Sequence, residues 1–505
     1  MDVRGRATTL RGWLIEPLTL SVHDLLEAGG DPRLHTDPAT GLSKYRVATR
    51  TRASVPLGSC TGSSPSALGI AAAGAVRDRL VGVSRRVEVA EELSQGHRQR
   101  LADLFELPDE VSLAFTPSGT DAIYLVSSLM LRDHARVHHV VVGASELGGG
   151  TVLAAKGLSI ADAAPFGPAT KGTPVEGLAE RCSAEPIYLR DPDGALLEPR
   201  VADERVARAV EAVPADTAVV LHLVAHSKTG LRAPSTALCL ELAERLGDRL
   251  LVLVDAAQGR VAPRDLRRSL ELGFVVLFTG SKFYSGPPFS SVLLVPERWA
   301  DGPAALALGL RDWFAKAEQP PAWVAARDSL PHAHNVGLML RWEAALAEIE
   351  GYHATLPRHR AGVYHTFAGS VHEVFGPSQV IELDVPRPPV HELASALGAF
   401  PSVFSFRVRG PDGCLDADAL RELHALLDTD LSAEHPELSG VFHLGQPVPL
   451  GPPGESREAV LRVALGARLV RTLAGHDDMG ASSLRATLRA LRAKLEGLVA
   501  LGRIG

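Results

Sequence analysis

At 505 residues, with 46% hydrophobic and 22% charged side chains, the chain has the composition of a soluble globular protein and the length for more than one core. A formal net charge of −7 leaves no basic excess, which argues against nucleic acid or an anionic membrane surface as a partner. Cys60, Cys182, Cys239 and Cys414 are scattered without a CxxC pair, so neither a zinc knuckle nor a disulfide framework is expected.

The opening residues carry charges but no continuous apolar run, and no stretch of about 18 apolar residues follows, so a cytoplasmic protein is expected. A Gly/Ser-rich stretch, "PLGSCTGSSPSALG", precedes helical patterns from Ile70 to Leu80 and over "EVAEELSQGHRQRLADLFEL". From Val111 strand and helix alternate: "VSLAF", a helix from Thr120 to Arg132, "VHHVVVG", "TAVVLHLVA", a helix from Ser235 to Leu246, "RLLVLVDAA", "GFVVLF" and "SSVLLV". Short β-branched runs between helices predict an α/β fold with a mostly parallel sheet covered on both faces. Residues Ala163 to Arg200 are polar and rich in Pro and Gly, and read as a surface insertion. Beyond Pro296 one long amphipathic helix is predicted from Val336 to Leu356, leading into α+β elements at "QVIELDV", "VFSFRVR", "AVLRVAL" and a closing helix near "LRATLRALRAKLEGLV". The expected units are an N-terminal segment (1–110) packing on the site, a large α/β domain (111–315), and a bridging helix with a smaller α+β domain (316–505).

Polar groups fall at the C-terminal ends of the predicted strands, the edge where open parallel sheets bind ligands. "TPSGTDA" puts Ser118, Gly119 and Thr120 at the mouth of a helix, where free amides and the helix dipole attract a phosphate. An ordinary N-cap reads the same way. Asp255 ends an apolar strand and needs a cationic or hydrogen-bonding partner if buried, or caps the next segment. Lys282 lies in "TGSKFYSGPP", between two apolar runs; a desolvated lysine has a lowered pKa and is an amine nucleophile, and a turn lysine is the plain alternative.

Together "SGT", "DAAQ" (Asp255 to Gln258), "TGSKFYSGP" and "LRVALG" (Leu461 to Gly466) resemble the fold type I enzymes dependent on pyridoxal 5′-phosphate (PLP). The class V aminotransferase and cysteine desulfurase branch of that superfamily is the nearer likeness. The resemblance implies a seven-stranded, mostly parallel sheet in a large PLP domain. It also implies a homodimer with the site at its interface, and an amino-acid substrate handled by Schiff-base exchange and a quinonoid intermediate. It assigns Lys282 to the aldehyde and Asp255 to the pyridine nitrogen. Ser118, Gly119, Thr120, Thr279 and Ser281 fall to the phosphate, with Gly280 letting the chain come close. Gln258 and His226 fall near the phenolic oxygen, and Arg462 to the substrate carboxylate.

The chain also departs from that branch. Ser281 stands where His usually precedes the lysine, and "ASELGGGT" replaces the loop with a ring-stacking aromatic, leaving Ser145, Glu146 and Leu147, of which Glu146 is a substrate-contact candidate. "FHLGQPVPLG" occupies the mobile-loop position without a cysteine, which disfavours ordinary desulfurase activity, and Cys414 reads as structural. Among Arg46, Arg50 and Arg52, one is a candidate for a second acidic group of the substrate. "GGG" at Gly148 to Gly150 is no P-loop, since no GK[ST] follows. The activity expected is an aminotransferase, with a lyase or β/γ-replacement enzyme as the alternative and a non-catalytic binding protein as a distant third.

Overall fold

The computed structural model describes residues 20–384, 401–454 and 458–502. The opening stretch read for targeting signals lies almost wholly outside these residues. No helix among the described residues is long and apolar enough to cross a membrane.

The strands are β1 (Val55–Leu57), β2 (Ser112–Thr116), β3 (Val137–Val142), β4 (Cys182–Ile187), β5 (Ala218–Val224), β6 (Leu250–Ala256), β7 (Val275–Thr279), β8 (Ser291–Val295), β9 (Ile381–Asp384), β10 (Val403–Gly410), β11 (Gly413–Cys414), β12 (Phe442–Pro449) and β13 (Ala459–Ala464). A seven-stranded sheet runs in the order β2-β8-β7-β6-β5-β3-β4. Strand β8 is antiparallel to both neighbours and the other pairings are parallel. Every residue of β5, β6, β7 and β8 is buried, as expected for apolar runs covered by helices on both faces. The predicted α/β class and mostly parallel sheet are present.

Strand β4 corrects the sequence reading. The polar segment taken as an insertion contributes an edge strand, parallel to β3 in the register Val137↔Cys182 to Val142↔Ile187. Its sequence, CSAEPI, has only one fully buried residue and a proline, which an edge strand tolerates.

The bridging helix runs Val336–His353 and stops before Pro357, where a second helix missed from sequence, Pro357–Phe375, begins. A second sheet of six strands follows the order β1-β12-β13-β10-β11, with β9 against β10. Here "FHLGQPVPLG" is not a loop: it forms β12, antiparallel to β13 and parallel to β1 from the N-terminal segment. Arg341, fully buried on the bridging helix, donates to the carbonyls of Leu26 (3.2 Å), Ala28 (2.6 Å), Gly29 (3.1 Å) and Phe289 (2.9 Å). One guanidinium thus satisfies four buried acceptors and ties the N-terminal segment to the loop that follows Lys282.

Candidate active site

The C-terminal ends of β5, β6 and β7 open into a cavity of about 380 Å³ lined by Ser118, Gly119, Thr120, His226, Lys228, Asp255, Gln258, Lys282 and Arg462, among others. Chain segments from three regions meet there: Arg33, Lys44, Tyr45, Cys60 and Thr61 from the N-terminal segment, the large-sheet edge, and Gln446 to Val448 of β12.

Lys282 follows β7 in a turn anchored by the next two residues. Phe283 and Tyr284 are fully buried and pack edge-on against Phe105 and Tyr352, so the lysine between them and the strand is left to the cavity. Its ε-amine hydrogen-bonds no described residue. Burial lowers its pKa, the nearby Asp255 carboxylate opposes this, and the Arg462 guanidinium adds to the lowering. Asp255, the penultimate residue of β6, accepts the Ala257 amide at 3.0 Å. Burial raises its pKa and the Lys282 ammonium opposes the rise. The pair therefore shares a desolvated pocket in which each charge is the other's principal support.

At the mouth of the helix Ala122–Met130, the amides of Gly119 and Thr120 donate to no described residue, whereas that of Ser118 is taken by Asp121 at 2.7 Å. Asp121, unsingled in the sequence, also accepts the Ser118 hydroxyl at 2.6 Å, and burial pushes its carboxyl up to about 6. Arg33 donates to the same hydroxyl at 3.2 Å while paired with Asp31. Gly148 and Gly150 face this turn: a Cβ at Gly148 would lie 3.2 Å from Thr120 Oγ1, and one at Gly150 3.0 Å from Thr120 Cγ2. Two free amides at a helix N-terminus, a lysine amine without a partner and a buried carboxylate form a donor and acceptor set that fits a phosphate, an aldehyde and a ring nitrogen.

Several expected roles change with the geometry. The Thr279 hydroxyl donates to the Ala257 carbonyl (2.7 Å), and Ser281 donates to Thr279 (3.3 Å), so both hydroxyl protons are held by the protein. Gly280 serves packing rather than close approach to a phosphate: a Cβ there would sit 2.7 Å from Ala345 Cβ on the bridging helix. Gln258 spends its amide on the Cys60 carbonyl (3.1 Å) and accepts from Arg260 (3.3 Å). His226 donates through Nδ1 to the Ser227 carbonyl (3.0 Å), which leaves Nε2 as an acceptor, and burial lowers its pKa to about 3, so the ring is neutral.

Glu146 is not turned to a substrate. Its carboxylate is paired with Arg190 at 3.0 Å and accepts from the Ser227 hydroxyl and from the Thr229 amide and hydroxyl. It braces the loop after β5 that carries His226. Arg46 and Arg52 are likewise spent, each 3.0 Å from Asp428. Among the described residues of the N-terminal segment, Arg33 and Lys44 are the cations that line the cavity. Arg462, 2% exposed, donates to the Lys228 carbonyl (3.1 Å), Thr61 Oγ1 (3.0 Å) and the Gln446 carbonyl (2.6 Å), and its Nε has no partner.

No family model and no curated protein matches this chain. Solved structures do. The cysteine desulfurase CsdA from Escherichia coli superposes with a TM-score of 0.53 at 16% identity, over 89% of this chain and 97% of its own. A cystine C–S lyase in complex with cysteine persulfide superposes with a TM-score of 0.54 at 15% identity, over 86% and 96%. An Oryza sativa protein, TDC, with PLP and tryptamine superposes with a TM-score of 0.52 at 14% identity, over 88% and 83%. At these identities the likeness is one of fold, and the chain has the fold of the fold type I PLP-dependent enzymes.

Proposed function

We propose that the protein is a PLP-dependent enzyme acting on an amino acid, with transamination as the reaction. The observation that supports the cofactor reading is the unbonded Lys282 amine sharing one cavity with the buried Asp255 carboxylate, beside the free amides of Gly119 and Thr120. Lys282 would hold the cofactor aldehyde, Asp255 its ring nitrogen, and Gly119 and Thr120 its phosphate. Bound there, PLP supplies an electron sink for the pair released at the substrate Cα. Lys282, desolvated and with a lowered pKa, is the group placed to move the proton at that Cα. Asp255, its carboxylate supported by cationic charge, holds a proton on the ring nitrogen rather than taking part in the transfer. The neutral His226 ring offers an acceptor at the cavity wall, and Arg462, which lines the cavity with two of its five N–H donors unspent, would take a carboxylate.

Side-chain elimination or replacement is the second reading, supported by the likeness to a cystine C–S lyase and a cysteine desulfurase. The same proposal includes a homodimer, which sedimentation of the purified protein tests.

The cofactor test is direct. The protein reconstituted with PLP turns yellow, and borohydride fixes a pyridoxyl group on the peptide containing Lys282, whereas Lys282→Ala gives no adduct. A protein that is colourless once unbound PLP has been removed refutes the proposal. Accumulation of pyridoxamine phosphate on incubation with amino acids identifies transamination; release of ammonia with a keto acid or a free side chain identifies elimination.

A further inference from the structure

Lys228 lines the cavity and has no part in the roles assigned above. It follows His226 on the loop after β5, and its ammonium finds one acceptor, the Ser145 carbonyl at 3.3 Å. No carboxylate among the described residues pairs with it. Glu146 is the acid whose charge acts on it, but that charge is neutralised by Arg190 and saturated by Ser227 and Thr229. The loop itself is fixed: Arg462 holds the Lys228 carbonyl at 3.1 Å, and the Lys228 amide donates to the Glu146 carbonyl at 3.1 Å.

Three cations, Lys228, Lys282 and Arg462, therefore crowd one desolvated space. Burial, then Arg462, then Lys282 lower the Lys228 pKa to about 8. Like charges held together at low dielectric raise one another's energy; Asp255 relieves Lys282, whereas Lys228 has no such carboxylate among the described residues and gains from an anion brought into the cavity. Lys282 is used by the aldehyde, and Arg462 spends three of its five N–H donors on Lys228, Thr61 and Gln446, which leaves its Nε–H and one Nη1–H, enough for a single carboxylate. Lys228 remains, a preorganised ammonium without its anion. Lys44 and Lys171, at the outer wall of the same cavity, add to the positive field.

Resting on the reading of this cavity as a PLP site, we propose that the substrate is an amino acid with a second anionic group, and that Lys228 binds that group while Arg462 takes the other carboxylate. Lys228 is then a specificity-determining residue, and substrates with neutral side chains leave its charge unpaired. The second anion is a carboxylate or a phosphate, and the experiment distinguishes them.

The test uses the full chain loaded with PLP and three probes: butyrate, succinate and 3-phosphonopropionate, each titrated by calorimetry. Succinate or the phosphonate is expected to bind at least about tenfold tighter than butyrate, equivalent to about 1.4 kcal/mol. Lys228→Met abolishes that preference while leaving butyrate affinity within a factor of about two, and Lys228→Arg keeps most of it. Stronger retention of the phosphonate than of succinate marks a phosphorylated substrate, and the reverse a dicarboxylic one. Equal binding of butyrate and both dianions to the wild-type protein overturns the proposal without recourse to any variant. So does a dianion preference that survives Lys228→Met. Borohydride labelling of Lys282 on the same samples separates the two claims: labelled protein without the preference refutes only the role of Lys228, and unlabelled protein refutes the PLP reading on which it stands.

Discussion

Replacing Glu146 by Gln separates a substrate contact from an internal brace. The sequence places Glu146 in the loop where relatives present a ring-stacking residue, which invites a role in binding. The structure spends its carboxylate on Arg190 (3.0 Å), the Ser227 hydroxyl and the Thr229 amide and hydroxyl, with side-chain exposures of 1% for Glu146 and 5% for Arg190. Breaking a buried pair by removing one partner costs about 3–5 kcal/mol, because the remaining charge is left uncompensated. Two features pull the expected cost to about 3 kcal/mol, the low end of that range. Glutamine still accepts from Ser227 and Thr229, and Arg190 keeps the Gly194 carbonyl at 2.9 Å and Asp384 at 3.6 Å. Arg190→Met should cost a similar amount. The double variant should lose less than the sum, with a coupling of about 2 kcal/mol, since neither charge is then stranded. Denaturant midpoints of the four proteins complete the cycle. If Glu146→Gln leaves stability unchanged and instead raises the KM for substrate, the carboxylate faces the ligand and the bracing role is wrong.

Three further outcomes follow from the structure. Ser127, His139 and His222 form a buried chain (2.9 and 3.0 Å); burial lowers His222 to about 3 and His139 well below its ordinary value. Both rings are neutral when folded, so as pH falls below about 6.5 the unfolded chain takes up protons that the folded one refuses. Stability then drops by about 2 kcal/mol per histidine between pH 7 and 5, and a His139→Leu/His222→Leu protein should lose correspondingly less over that interval in denaturant titrations. Gly445→Ala places a Cβ 2.3 Å from Cys60 Sγ and 3.1 Å from Arg462 Cβ, so a destabilisation of about 1–3 kcal/mol is expected, relieved by Cys60→Ala and read from thermal midpoints. Asp255→Asn removes the charge that props up the Lys282 ammonium, so in cofactor-free protein the pH midpoint for acylating Lys282 should move down; an unmoved midpoint breaks the proposed coupling.

The residues whose chemistry is costly to bury were the legible ones. Asp255 and Lys282 interrupt apolar runs, and an ionisable group in such a run needs a reason. The sequence order of the strands carried the large sheet as well, because β5 to β8 are buried on both faces and read as continuous apolar runs. What escaped lacks that local signal. Strand β4 is half exposed, so no apolar run marks it. Strand β12 carries Gly445, Pro447 and Pro449 within eight residues, and it is held as a strand by pairing with β13 and, across nearly 400 positions, with β1. Glu146 looked available because Arg190, Ser227 and Thr229, which consume it, lie 44 to 83 positions away.

Gly280 shows how the two kinds of information combine. In sequence, small residues beside a lysine suggest a backbone opened to a ligand. In space, both Gly280 and Gly286 abut Ala345 Cβ, where added methyls would fall 2.7 and 2.6 Å away, and the Gly286 amide closes the turn on the Gly280 carbonyl at 3.0 Å. The glycines therefore seat the turn against the bridging helix, and that helix also carries Arg341, which fixes the N-terminal segment lining the cavity. Arg462 does the complementary work from the second sheet, gripping Thr61, Gln446 and the Lys228 carbonyl at once. The cavity is thus set by two buried arginines that join segments remote in sequence. A substitution at either should misplace Lys228 and Lys282 together, even though Arg341 touches neither.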